Sequence, residues 1–438
     1  MRLQVARRPL LLLLLCGIAA RVGLVLWART PAVYDDTGGY VILAEMLRSG
    51  DFTGYNGFRT PTYPLLMLLC GGNATALFGL HLLLGLATTW ILYEAFRLLS
   101  GSRKLGFAAG MAHNVNLSAL VYEANLLTET STTFLVALTL WGTFALTAAW
   151  RAGRPLSGWR ACGIGLAASL AALDRPLCVV LPLLLLLFLA GAIVRGPAAA
   201  RRSLGRAGVA AALPMLLLLG GWSAFNLRTT GTFSLTTLTG FNLTHWSGAY
   251  IASAPAEFAP IAAIYTPYLE QSGTSHQTIW QARAALEEHT GLTTPQLSKL
   301  LQRMSLAIIR ANPGAYVRGV CRSWIDFWRP SLLRHGVNLQ TATCLAFRLA
   351  FVLVEVAFLL GPLLWLASRR FRTWVRAWPE FLLLYVFVHA TALVQAVLIS
   401  VENPRYSVPV DPWILGTGVG VASLVWRLAR AWPRPLSE

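Results

Sequence analysis

Charge is what this chain has least of. Only 12% of its 438 residues are charged, while 56% are hydrophobic. A soluble chain carries about 25% charged residues, so the shortfall excludes a freely soluble domain and points to lipid as the main solvent. Lysine is nearly missing: Lys104 and Lys299 are the two in the chain. The net charge of +18 is therefore almost all arginine. Its arginines sit in short clusters between apolar runs, as the positive-inside rule expects, which argues against nucleic acid as a partner. The cysteines (Cys16, Cys70, Cys162, Cys178, Cys321 and Cys344) lack CxxC or Cys/His metal spacing, although Cys321 and Cys344 fall where a disulfide could form. No A-x-A cleavage site follows the first apolar run, 10–27, so that run reads as a retained helix. No internal repeat is visible, which weighs against inverted-repeat transporters.

What the chain does have is long apolar runs. They fall at about 9–28, 75–98, 104–122, 126–149, 160–173, 176–195, 207–226, 344–367, 380–400 and 411–428, each near the ~20 residues a membrane helix needs. The stretch 160–195 reads either as two short helices broken at Asp174-Arg175-Pro176 or as one kinked helix. The expected fold is an all-α polytopic membrane protein with about ten crossings, give or take two. Basic clusters such as Arg2/Arg7/Arg8, Arg97/Arg103/Lys104 and Arg427/Arg430/Arg434 occupy every second connection, which places both termini in the cytoplasm. Nearly all acidic residues fall in the other connections, so polar chemistry belongs to the non-cytoplasmic face.

Two connections on that face are too long to be turns. Three parts follow: a transmembrane module over 1–226 that includes the loop 29–73, a non-cytoplasmic loop with amphipathic helices over 227–343, and C-terminal membrane helices over 344–438. In the first loop, Tyr40, Leu43, Ala44 and Leu47 mark one face of a helix closed by Gly50, and Arg59-Thr60-Pro61 opens another. In the second, Thr294-Pro295 reads as N-cap and N1 of a helix reaching Ala311. A helix over 313–328 interleaves aromatics with arginine, which suits either the headgroup region or core packing in a cap.

Several residues there have chemical reach. Asp35-Asp36, just after the first crossing, could remove a proton from an attacking hydroxyl; Asp36 as an N-cap is the plainer reading, and the two are compatible. Arg59, followed by Pro61 and Pro64, could bind a phosphate through its planar fork or simply reach lipid headgroups. Glu129 stands about one turn into a membrane helix, where an ionisable group needs a wet cavity or a partner. Asp174-Arg175-Pro176 is either part of a site or a local ion pair easing a turn. Glu402-Asn403-Pro404-Arg405-Tyr406, between the last two helices, is either an irregular segment turned into a site or a plain loop.

In their order along the chain, these pieces resemble a known family. The set comprises Asp36-x-x-x-Tyr40-x-x-x-Ala44, Arg59-x-Pro61-x-Tyr63-Pro64, Leu127-Thr128-Glu129 and Arg175-Pro176. It continues through Asn226-x4-Gly231-x-Phe233, Gly240-x-Asn242-Leu243, the tract Ile309 to Tyr316, and Arg405-Tyr406-x-x-Pro409. It is similar to the GT-C polyprenyl-phosphate-sugar glycosyltransferases, in particular the protein O-mannosyltransferase and lipid A aminoarabinose transferase group. The resemblance implies a GT-C fold in the plasma (inner) membrane, with an active site on the non-cytoplasmic face. It implies inverting transfer of a sugar from a polyprenyl-phosphate donor to a hydroxyl of a glycolipid, polysaccharide or protein. Asp36 becomes the catalytic base, with Asp35 as its neighbouring substitute. Arg59, Arg405 and Arg175 approach the donor phosphate, and Glu129, Tyr40, Tyr63, Glu402, Tyr406 and Asn226 line the cavity. A divalent metal stays open: Asp35, Asp36 and Glu129 could converge on one through oxygen ligands, although members of the group need not use one. One departure is Phe225-Asn226, where many relatives carry Arg-Asn. A transporter or lipid flippase is the rival; an O-antigen ligase or polymerase fits less well, because the paired carboxylates are foreign to it.

Overall fold

The computed structural model describes residues 2–273, 275–328, 352–356, 358–369, 371–373, 379–399 and 404–430. The chain is an all-α polytopic membrane protein. Among the described residues the only β-type pairing is a single bridge between Ala32 and Asn125.

The first helices are α1 (Arg2–Ala28), α2 (Asp35–Ser49), α3 (Thr62–Leu69), α4 (Ala74–Ser100), α5 (Arg103–Asn114), α6 (Leu117–Glu123) and α7 (Glu129–Arg151). Then come α8 (Gly158–Asp174), α9 (Val180–Arg195), α10 (Ala198–Met215) and α11 (Gly221–Thr230), the last two joined by a π turn. A cap follows, built from α12 (Thr239–Ser247), α13 (Ala259–Ser272), α14 (Ser275–Thr290), α15 (Thr294–Ala311) and α16 (Pro313–Phe327). The last elements are α17 (Gly361–Ala367), α18 (Pro379–Leu398) and α19 (Asp411–Arg430).

Among the described residues, six segments are long and apolar enough to cross a membrane: Arg8–Ala28, Ala74–Ser100, Glu129–Arg151, Pro176–Arg195, Ala200–Thr230 and Pro379–Leu398. Other expected crossings take different forms. The run 104–122 is broken into α5 and α6, because the side chain of buried Asn116 accepts the amides of Ser118 and Ala119 and starts a new helix. The stretch 160–195 is two helices, α8 and α9, separated by a 3₁₀ turn at Pro176–Val179. The run 411–428 is helical within α19. The run 344–367 lies partly outside the described residues, as does Cys344.

Helix ends follow local chemistry. Gly50 closes α2 and Gly101 closes α4 at positive φ, 76° and 68°, where a side chain would be strained. Asp36 is not the cap of α2: that position belongs to Tyr34, and Asp36 is the second helical residue. The α15 cap is Thr293, one residue earlier than expected, with Gln296 completing a capping box.

The cap is held by its own apolar core. On α15, Leu297, Leu301, Met304 and Ile308 repeat at helical spacing, and all are fully buried. Helix α12 crosses α15 at Gly240, where any Cβ would collide with the Ser298 carbonyl. The aromatics at the end of α16 serve packing: Phe327 and Trp328 enter the main helix core, while Val317 and Ile325 stay exposed.

A buried polar network crosses the membrane part. Arg21 of α1 pairs with Glu123 at 2.7 Å and also donates to Asn114, which accepts from Thr89. Gly85 makes room for it; a Cβ there would run into the Glu123 carboxylate. Such a pair persists in lipid because each partner satisfies the other.

Candidate active site

The site forms where α2 meets the segment entering α7. Ala32 donates its amide to Ala124, Leu126 donates to Ala32, and the Thr37 hydroxyl donates to the Leu126 carbonyl. These bonds fix the first turn of α2, where the helix dipole favours a carboxylate such as Asp36.

Arg59 reaches Asp36 from the following loop. Gly39 lets it lie across α2, since a Cβ there would stand 2.7 Å from the Arg59 Nε. Arg59 Nη2 donates to Asp36 Oδ1 at 2.6 Å, and Arg405 Nη2 donates to Asp36 Oδ2 at 2.7 Å. The guanidinium of Arg59 also lies 4.7 Å from the centre of the Tyr40 ring. Burial alone would raise the Asp36 carboxyl, but the charges and hydrogen bonds of Arg405 and Arg59 outweigh it and hold the group well below the usual carboxylate range.

A second layer lies beside this clamp. Arg175 pairs with Glu129 Oε1 at 3.1 Å, Arg405 Nε stands 4.0 Å from the same oxygen, and the Arg175 guanidinium lies over the Tyr406 ring. Asp174 does not form the local ion pair with Arg175 that its sequence position suggests. Its Oδ2 accepts from Ser131 (2.6 Å) and Thr132 (2.7 Å) of α7.

All six charged groups line one cavity of about 190 Å³. One wall is apolar, from Leu177 and Val179 to Val394 and Leu398; another carries the neutral polar groups of Thr236, Thr239 and Asn242. A carboxylate, a guanidinium cluster and an apolar flank can together take a proton and hold the anionic head of a lipid.

The structure therefore brings Asp36, Arg59, Glu129, Arg175, Arg405, Tyr40 and Tyr406 together. Three others stand elsewhere. Asp35 is exposed and off the cavity wall. Tyr63 is fully buried behind Tyr40, ring centres 5.0 Å apart. Asn226 donates to the carbonyls of Ser234 and Leu235, and the Tyr55 hydroxyl lies 3.2 Å from Asn226 Oδ1 and 2.9 Å from the Arg59 carbonyl. Asn226 thus braces the Arg59 loop from behind. Glu402 lies outside the described residues. Asp35 is exposed off the cavity wall, and guanidiniums engage Asp36 and Glu129. Among the described residues no group of three or more His, Cys, Asp or Glu is placed to hold a metal ion.

The residues missed in the sequence are Ser131, Thr132, Thr236 and Thr239. The first pair was hidden in an apolar run; the second belongs to a threonine-rich stretch, 229–239, whose polarity was its only signal.

No protein-family model matches this chain, and no curated protein does. Among solved structures, the crystal structure of ArnT from Cupriavidus metallidurans bound to undecaprenyl phosphate aligns with 98% of this chain and 82% of that one, at 15% identity and a TM-score of 0.39.

Proposed function

We propose that the chain is an inverting glycosyltransferase of GT-C type. It moves a sugar from a polyprenyl-phosphate donor to an acceptor hydroxyl on the non-cytoplasmic face of the plasma membrane. The observation that carries this reading is the placement of Asp36 between Arg59 and Arg405 on a cavity with one apolar wall. The arginine clusters in alternate connections support the orientation, and the ordered motifs support the donor class.

The chemistry follows from the clamp. The prenyl tail rests against the apolar wall, and the sugar-phosphate enters among the guanidiniums. The acceptor oxygen attacks the anomeric carbon and its proton passes to Asp36. The bond from that carbon to the phosphate oxygen breaks, and the lipid phosphate leaves with the bond's electrons, stabilised by Arg59 and Arg405. A carboxylate held by two guanidiniums is a poor base. The donor phosphate competes for those same arginines, and as they turn to it Asp36 regains basicity. The base is thus armed by the donor.

Mass spectrometry of glycolipids, polysaccharides and glycoproteins from cells lacking the gene, against cells with it restored, tests the reading. Loss of one sugar from one acceptor, with build-up of its lipid-phosphate form, is expected. Unchanged glycoconjugates together with lost uptake or flipping of a solute would replace the transferase with the transporter.

A further inference from the structure

Resting on the donor class just proposed, we infer that binding of the donor phosphate draws a proton onto Asp174. The cavity wall carries three carboxylates, Asp36, Glu129 and Asp174, and three guanidiniums, Arg59, Arg175 and Arg405. With all six ionised, these charges cancel. A sugar phosphodiester brings one further negative charge into a partly buried, low-dielectric space, where an uncompensated ion is costly. Uptake of one proton restores the balance.

The geometry assigns the proton to one carboxylate. Asp36 is held by two guanidiniums at 2.6 and 2.7 Å, and Glu129 by Arg175 at 3.1 Å. Asp174 is held by hydroxyls alone, both on Oδ2. Its Oδ1 is buried without a hydrogen-bond partner among the described residues, in a side chain that is 2% exposed and lines the cavity. A proton on Oδ1 leaves both bonds to Oδ2 intact and turns an orphan acceptor into a donor for the ligand. The other groups that feel its charge are Glu129 of α7, Arg175 and Cys178 of the turn after α8, and Tyr63 of α3. Glu129 and the incoming phosphate favour the proton there; Arg175 opposes it. Glu129, whose Oε2 also lacks a partner, and Asp36, once its arginines turn to the phosphate, are the competing sites.

The test is calorimetric titration of the purified full chain with a polyprenyl methyl phosphodiester, which carries one fixed charge and cannot transfer a sugar. Runs in buffers of different ionisation enthalpy give the number of protons taken up. Burial raises the Asp174 carboxyl to about 7 in the free protein, so wild type is expected to take up about one proton above about pH 8, less at neutral pH and below, with affinity falling roughly tenfold per pH unit on the alkaline side. Asp174→Asn mimics the protonated acid, so it binds the diester at least as well, takes up none, and shows no such pH dependence. Glu129→Gln removes one negative charge from the same balance and also lowers the uptake, so the proton is placed by infrared difference spectra of diester binding. The band of the newly protonated carboxyl is expected to shift in Ser131→Ala, which removes a hydroxyl from Asp174 Oδ2, and a band that does not shift overturns the assignment. Binding by wild type without proton uptake overturns the inference and leaves the donor class standing, as does uptake that persists in Asp174→Asn. No binding of the diester overturns both.

Discussion

Arg405 and Asp36 meet at 2.7 Å although 369 positions separate them in the chain. The contact ties the turn before the last helix to the first helix after the opening crossing. It also makes the acid and the cation of the site one unit.

Arg405→Lys isolates what that unit needs. The guanidinium reaches Asp36 through Nη2 while its Nε stands 4.0 Å from Glu129, a span that one ammonium cannot cover. Transfer at saturating donor is expected to fall about a hundredfold in Arg405→Lys and further in Arg405→Gln. Rates within a fewfold of wild type for both would remove Arg405 from the phosphate site.

The sign of the acid response follows from Asp36. Burial pushes its carboxyl up, but Arg405 and Arg59 hold it below its ordinary range. A group depressed on folding contributes stability that is fully present above its unfolded pKa, about 3.9, and is lost as pH falls through the folded one. Wild type should therefore melt above Asp36→Asn by a constant margin from about pH 8 to about pH 5, narrowing only below about pH 4. Melting curves in detergent check this. A margin that closes near neutral pH would mean the clamp is absent.

Asp35 gives a handle on orientation because it is exposed beside Asp36. In a Cys321→Ser background, Asp35→Cys should react with a membrane-impermeant maleimide in intact spheroplasts. Arg103→Cys, in the opposite set of connections, should react only after permeabilisation. The reverse pattern would put the site on the cytoplasmic side.

Glu123→Ala leaves Arg21 charged and unpaired inside the membrane part. Breaking a buried pair from one side costs about 3–5 kcal/mol, whereas replacing both partners by apolar residues is often near neutral. The single variant should lose most of its folded yield, and Arg21→Met with Glu123→Leu should recover much of it, as read by size-exclusion chromatography in detergent. Equal behaviour of the two would show that the pair is not an isolated unit.

Much of this was legible in residues. The lipid-facing composition announced the helices, and Asp36, Arg59, Glu129, Arg175 and Arg405 stood out because charge is scarce in such a chain. Who pairs with whom was not legible. Arg175 leaves its neighbour Asp174 for Glu129, a partner 46 positions back, because Ser131 and Thr132 of α7 already hold Asp174. Hydroxyls within an apolar run give no signal until the fold turns them onto a carboxylate. Arg21 was equally silent, lying in a first helix otherwise read as a plain crossing, and Asn116 hid a helix break that hydropathy cannot see.

The most direct measurement is donor binding and sugar transfer by Asp36→Asn, reconstituted beside wild type with the lipid-linked sugar that accumulates in cells lacking the gene. With its arginines released, the variant should bind the donor at least as tightly yet transfer about a thousandfold more slowly. Transfer at a rate close to wild type would contradict the assignment of Asp36 as the base.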